Sequence, residues 1–240
     1  MKIVIKNNAN EIAEYVANII KNEILSKEKI NVCFATGNSP IKTYQKLIEM
    51  FKNKEISFKN VTTFNLDEYV GIEKSNKCSY HYFMFENLFN HVDVKKENIH
   101  LPNGLGDITK NAKNYERLIK DKGGIDLMIL GIGTNGHIAF NEPGSLIDDR
   151  TREVKLTDST IQSNKIYFEN ENDVPKTAIS MGIGTILEAK KIILLANGSA
   201  KAKAIYETIN GKITSDVPAS FLQNHDDVSI IIDNDAAELL

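Results

Sequence analysis

Short runs rich in β-branched residues alternate along this chain with stretches of helical period, and that alternation limits the folds open to it more than any other feature. The runs span Lys2 to Ile5, Ile30 to Ala35, Val61 to Leu66, Ile125 to Gly131, Lys191 to Ala196 and Val228 to Ile232. They are nearly continuous in apolar character, as strands covered on both faces must be. Between them Ile12, Val16, Ile19, Ile20 and Ile24 recur at helical spacing, as do Tyr44, Leu47, Ile48 and Phe51, with Pro40 where a first helical turn tolerates it. The pattern predicts an α/β fold: a single-domain, Rossmann-like open sheet, mainly parallel, with helices on both faces. At 240 residues, with no internal repeat or low-complexity linker, the expected domain is 1–240.

Other features read as ordinary structure. Tyr80, Phe83, Met84, Leu88 and Phe89 form an aromatic stripe at helical spacing and are assigned to the core. The basic face of the Lys110 to Lys122 segment is assigned to solvent. With 29 basic and 32 acidic residues the net charge is −3, which gives no electrostatic case for nucleic acid or an anionic membrane as partner. No run reaches the about 18 apolar residues of a membrane helix, and the N-terminal run is too short for a signal peptide, so a cytoplasmic location is expected. Cys33 and Cys78 lack CxxC spacing and are expected to be reduced thiols. His81, His91, His100 and His225 show no ligand spacing, so no metal site is expected.

The chemistry-bearing residues fall in four clusters, each directly after a predicted strand. These are Thr36-Gly37-Asn38-Ser39, Asp67-Glu68-Tyr69, Gly133-Thr134-Asn135-Gly136-His137 and Gly198-Ser199-Ala200-Lys201. In open parallel sheets ligands bind beyond the carboxyl ends of the strands, so the four can share one site. The first and last put glycine and hydroxyl residues where a helix begins, a setting suited to phosphate, and Lys201 adds a positive charge. Gly131 to Gly136 matches GxGxxG, but Pro143 and Gly144 follow too soon for the helix of a dinucleotide site. An isolated acidic pair such as Asp67 and Glu68 usually caps a helix or meets solvent; at the edge of a phosphate cleft it can instead move a proton between adjacent carbons of a sugar. His137, flanked by glycines and near Glu142, suits a general base or acid.

At these residues the sequence resembles the glucosamine-6-phosphate deaminase family, over nearly its whole length. The matching segments are Ala35 to Pro40, Phe64-Asn-Leu-Asp-Glu-Tyr-Val-Gly71, Gly131-Ile-Gly-Thr-Asn-Gly-His-Ile-Ala-Phe-Asn-Glu-Pro143 and Gly198 to Lys201. The resemblance implies aldose–ketose isomerisation and deamination of glucosamine 6-phosphate to fructose 6-phosphate and ammonium. It gives His137 the opening of the pyranose ring, Glu142 and Asn135 the orienting of the imidazole, and Asp67 the transfer of a proton from carbon 2 to carbon 1. Thr36, Gly37, Asn38, Ser39 and Lys201 would hold the substrate, an amino-sugar phosphate, and the implied cofactor list is empty.

Two departures stand out. Relatives carry either aspartate or asparagine where this chain has Asn135, which changes the hydrogen bonding to His137. Many carry a phosphate-clamping arginine where Asn164-Lys165-Ile166-Tyr167-Phe168 offers Ile166, and the neighbouring Lys165 lacks the bidentate fork of arginine. Arg150, Arg152, Lys155 and Thr157 fall near the activator site of some oligomeric relatives. The chain ends at Leu240 without their longer C-terminal segment, so a non-allosteric enzyme is expected. Alternative readings are a galactosamine-6-phosphate deaminase, a 6-phosphogluconolactonase and a non-catalytic sugar-phosphate sensor.

Overall fold

The computed structural model describes residues 1–157, 160, 161, 168 and 174–240. Seven strands form one parallel sheet: β1 (Lys2–Lys6), β2 (Ile30–Phe34), β3 (Val61–Asn65), β5 (Ile99–His100), β6 (Leu127–Leu130), β9 (Ile192–Ala196) and β10 (Val228–Asp233). Their spatial order is β1-β10-β9-β6-β2-β3-β5, with every pairing parallel. All the runs singled out in the sequence are strands of this sheet. The two-residue β5 was too short to be legible.

Alternate residues along the strands serve two separate cores, as the two-residue period demands. Val32, Phe34, Leu127, Ile129, Ile193, Leu195 and Ile231 face one. It is covered by α1 (Ala9–Ser26), α2 (Ile41–Lys52) and α3 (Tyr80–Asn87), through residues that include Ile20, Leu47 and Met84. Cys33, Phe64, Met128, Leu130, Ile192, Leu194 and Ile230 face the other. There they meet Tyr115 and Ile119 of α4 (Ile108–Asp121), Ile183 and Ile186 of α5 (Ile183–Leu187), and Ile205 of α6 (Ala202–Asn210). Local signals fix the helix ends: the Asn8 side chain accepts from the N–H groups of Asn10 and Glu11, and Asp107 accepts from Lys110. Lys110, Lys113, Arg117 and Lys120 lie exposed on α4, as expected.

A second sheet went unforeseen. β4 (Asp67–Tyr69), β7 (Arg152–Lys155) and β8 (Thr177–Ser180) pair antiparallel in the order β4-β8-β7. The cluster Asp67-Glu68-Tyr69, expected directly after a strand, does follow β3 and is a short strand itself, separated from it by Leu66 alone. Its pairing with β8 joins segments far apart in sequence, and neither has a long enough run to show a period.

The large sheet has a switch point between β2 and β6. From β2 the chain adds β3 and β5 on one side; from β6 it adds β9 and β10 on the other. Chain ends at such a point splay apart and leave a crevice.

Candidate active site

The crevice is a cleft of about 330 Å³ whose walls come from all four predicted clusters. Thr36, Gly37, Asn38 and Ser39 follow β2, Asp67 follows β3, Gly131 to Asn135 and His137 follow β6, and Lys201 follows β9. These four strands are neighbours in the sheet, in the order β9-β6-β2-β3, which is why segments distant in sequence meet. Of the predicted site residues, only Glu142 stays off the cleft wall, standing behind Asn135 and His137.

The β2 turn is held from beneath. The Tyr44 hydroxyl donates to the Ala35 carbonyl, and Asn65 Nδ2 donates to the Phe34 carbonyl at 2.8 Å. Gly37 takes φ 88°, a left-handed conformation that favours glycine. Pro40 occupies the cap position of α2, one residue earlier than the first-turn place read from the sequence, and no side chain caps this helix. On the opposite wall Asp233, at the end of β10, accepts the Gly198 N–H at 3.0 Å and fixes the turn that carries Lys201. Burial lowers the Lys201 pKa, and no carboxylate among the described residues pairs with it. The cleft thus offers a partly desolvated cation facing a helix start.

The acidic pair divides. Glu68 accepts backbone N–H groups from Tyr69, Tyr80 and His81, each at 2.9 Å, and so ties β4 to the start of α3. Burial pushes its carboxyl up, while these three donors pull the other way. Asp67, 6% exposed, lines the cleft instead. Burial and the neighbouring Glu68 charge push its pKa up to about 8, with no hydrogen-bond donor among the described residues to offset them. A carboxyl so poised can both take and return a proton near neutral pH.

His137 stands on the β6 wall, its side chain 28% exposed. Its ring lies against Gly133, where an added Cβ would come within 2.2–2.6 Å of three ring atoms. Nδ1 is 2.8 Å from Asn135 Oδ1, and Asn135 Nδ2 donates to Glu142 Oε2 at 2.8 Å. The other carboxylate oxygen, Oε1, accepts from Thr160 at 2.5 Å and lies 3.3 Å from the Thr157 hydroxyl. Burial opposes ionisation of Glu142, but hydrogen bonds from His137 and Thr160, the His137 charge and the Asn135 amide outweigh it and lower its pKa to about 2. An ionised carboxylate can only accept, so it orients the Asn135 amide with its oxygen toward His137. An amide oxygen also only accepts, so Nδ1 carries the proton and Nε2 is left free to act as a base.

Sequence reasoning missed several residues here. Thr160, and Thr157, read from the sequence only as near an activator site, reach Glu142 because β7 brings the chain back to the cleft; the Thr-x-x-Thr spacing was the available signal. Tyr80, assigned to the core with the rest of its stripe, lines the cleft: the stripe begins at the end of α3 that Glu68 pulls toward β4. Its ring stacks on Phe140 at 6.0 Å and its hydroxyl lies 3.2 Å from that of Tyr69. The other four stripe residues pack in the core beneath α3. Residues 164–167, the segment with Lys165 and Ile166 singled out in the sequence, lie outside the described residues.

Arg150 and Arg152 are satisfied internally. Arg150 spans Glu116 and Glu188, while Arg152 meets Asp149 at 2.8 Å and Asn141 at 2.9 Å. Among the described residues no cluster of three or more His, Cys, Asp and Glu side chains could hold a metal, and no helix is long and apolar enough to cross a membrane.

An open α/β sheet with titratable side chains gathered in a cleft at its switch point defines the class, an α/β enzyme. Comparison with known proteins narrows it. A family model described as glucosamine-6-phosphate isomerases/6-phosphogluconolactonase matches residues 5–231, and the chain belongs to that family. A glucosamine-6-phosphate deaminase of Thermoanaerobacter sp. (strain X514) is 51% identical over 100% of this chain and 95% of its own. One from Clostridium botulinum (strain Alaska E43 / Type E3) is 52% identical over 100% and 97%. A solved monomeric glucosamine-6-phosphate deaminase superposes with a TM-score of 0.97 at 41% identity, covering all of both chains. The 6-phosphogluconolactonase of Trypanosoma cruzi, 19% identical with a TM-score of 0.80 over 100% of this chain and 96% of its own, shares the fold.

Proposed function

We propose that this chain, acting as one domain over residues 1–240, converts glucosamine 6-phosphate to fructose 6-phosphate and ammonium. The observation that carries the reading is the pairing, across one cleft, of a carboxyl poised at about 8 with a histidine whose Nε2 is free. His137 takes the proton of the anomeric hydroxyl and returns it to the ring oxygen, which opens the pyranose to the aldehyde. Asp67 removes the proton from carbon 2 as the carbonyl oxygen is protonated, giving an enolamine. The same proton, returned to carbon 1, leaves an iminium at carbon 2; water adds there and ammonia departs. Every step moves protons on an activated carbon, so the chemistry calls for neither metal nor organic cofactor. Thr36 to Ser39 and Lys201 hold the phosphate, the lysine as a point charge rather than a fork.

Glutamates already span Arg150, and Thr157 turns toward Glu142, which supports an enzyme without an activator site in this region. Cys33 and Cys78, neither in a disulfide, and a phosphorylated substrate fit the cytoplasm.

The test is release of ammonium and fructose 6-phosphate from glucosamine 6-phosphate in chelator-treated buffer, with galactosamine 6-phosphate in parallel. Equimolar products from the first sugar are expected, and Asp67→Asn and His137→Gln should each lower turnover about 10²–10⁴-fold. Faster turnover of the galactose epimer would move the assignment to that sugar. A lactonase has no carbon-to-carbon proton transfer, so hydrolysis of a phosphorylated sugar lactone that survives Asp67→Asn would replace the deaminase reading.

A further inference from the structure

Glu142 is the hub behind the imidazole, and its two oxygens are used differently. Oε2 accepts from Asn135 and lies 3.5 Å from His137 Nδ1; Oε1 belongs to the threonines. The threonine hydroxyls form a directed chain. Thr157 Oγ1 accepts the Thr160 N–H at 3.2 Å and lies 3.1 Å from Thr160 Oγ1, which donates to Glu142 Oε1 at 2.5 Å. The Thr160 N–H thus turns to the Thr157 hydroxyl, and among the described residues the acceptor of the Thr160 hydroxyl is Glu142 Oε1. Thr160 is nearly buried, at 9% exposure, and lines the cleft.

We infer that Thr160 is a positioning residue: its hydroxyl, acting through Glu142 and Asn135, fixes His137 in the tautomer that leaves Nε2 able to accept a proton. The inference rests on the ring-opening role proposed for His137. Because position 135 is asparagine, the relay has no charge of its own to set its direction. An amide reversed end for end would present N–H groups to Nδ1 and force the proton onto Nε2, which would then be useless as a base. The carboxylate prevents that reversal only while it stays ionised and aimed at Nδ2, and the Thr160 bond secures both conditions. The titratable group facing Glu142 is His137, its Nδ1 3.5 Å from Oε2. Nearby, the Ser145 hydroxyl donates to the Glu142 carbonyl at 2.7 Å, and Arg152 reaches Ser145 at 3.5 Å.

The test compares Thr160→Val, which keeps the branched shape but not the hydroxyl, with Thr160→Ser, which keeps the hydroxyl; Thr160→Ala stands in if valine disturbs packing. Nitrogen NMR of the full chain with labelled histidine, assigned with His137→Gln, reads the tautomer without turnover. Wild type and Thr160→Ser should carry the neutral-ring proton on Nδ1, and Thr160→Val a mixture. With glucosamine 6-phosphate, Thr160→Val should lower kcat about 10- to 100-fold, the scale of one hydrogen bond to a charged group, at little change in KM. The serine variant should recover most of the rate. Affinity for the open-chain alditol analogue of the substrate should not change, since it needs no ring opening, and the acid limb of kcat should move to higher pH in Thr160→Val alone. An unchanged tautomer in Thr160→Val overturns the inference, whatever the activity. Wild type that releases no ammonium overturns the proposed function, while the nitrogen spectra still decide the role of Thr160.

Discussion

Gly133 illustrates how much a single missing atom can do. The imidazole of His137 occupies the space a Cβ at that position would take, so Gly133→Ala forces the ring to swing and lengthens its 2.8 Å contact with Asn135. A displacement of about 1 Å in a reacting group costs on the order of 100-fold in rate. Gly133→Ala should therefore lower kcat on that scale while leaving the melting temperature within a few degrees, because the partly exposed ring has room to move. A variant with near-normal kcat would show that the ring's placement does not depend on this glycine. Lys201→Ala tests the other wall. If the lysine holds a phosphate equally well in ground and transition states, KM should rise with kcat nearly unchanged, and a fall in kcat alone would argue against that role.

At the scale of elements, Glu68 connects β4 to α3. Its carboxylate accepts three backbone N–H groups, so Glu68→Ala leaves one buried and two part-buried donors without an acceptor. Unmet buried donors cost about 1–3 kcal/mol each. Chemical unfolding of Glu68→Ala should show a loss of at least that size, and turnover should also fall, since Tyr80 and Asp67 flank the lost anchor; full retention of stability would dismiss the anchoring role. This is also the level at which the sequence was least legible. The six parallel strands could be read because each is a compact apolar, β-branched run, and α1 to α4 because their residues recur at helical spacing or form one solvent-facing side. The antiparallel sheet could not: β4 is three residues long, β7 mixes charged and apolar residues, and both depend on β8 for meaning. Asp67 and His137 were found because their clusters follow strong strands. Thr160 was missed because the role proposed for it comes from a contact across the fold, and the cleft-facing side of Tyr80 because a stripe at helical spacing does not reveal which of its core residues also borders a cavity.

For the whole molecule, Asp67 and Glu142 set opposite slopes of stability with pH. Asp67 shifts from an ordinary 3.8 to about 8, so the folded state favours its neutral form. The stabilisation is complete below about pH 4 and is lost as pH rises toward 8. Glu142 shifts from 4.5 to about 2, so its contribution is present above about pH 4.5 and is lost as pH falls toward 2. Asp67→Asn should consequently be more stable than wild type at pH 8, by a margin that grows steadily from pH 4. Glu142→Gln should be less stable at neutral pH and converge on wild type in acid. Melting temperatures measured across pH 3–9 decide this, and parallel curves for wild type and Asp67→Asn would contradict the buried, unassisted state of that carboxyl.

Asp67 rides on the small sheet, whereas Thr36 to Ser39, His137 and Lys201 hang from the large one, with Leu66 as the only residue between β3 and β4. The proposed phosphate grip and ring-opening histidine thus belong to one part and the proposed carbon-to-carbon proton carrier to another, like a vice and a tool brought to it. A change in the antiparallel sheet can re-aim the carboxyl while the jaws that hold the ligand stay where they are. A scaffold divided in this way can be refitted for a different reaction on a similarly shaped molecule by altering the lesser part alone.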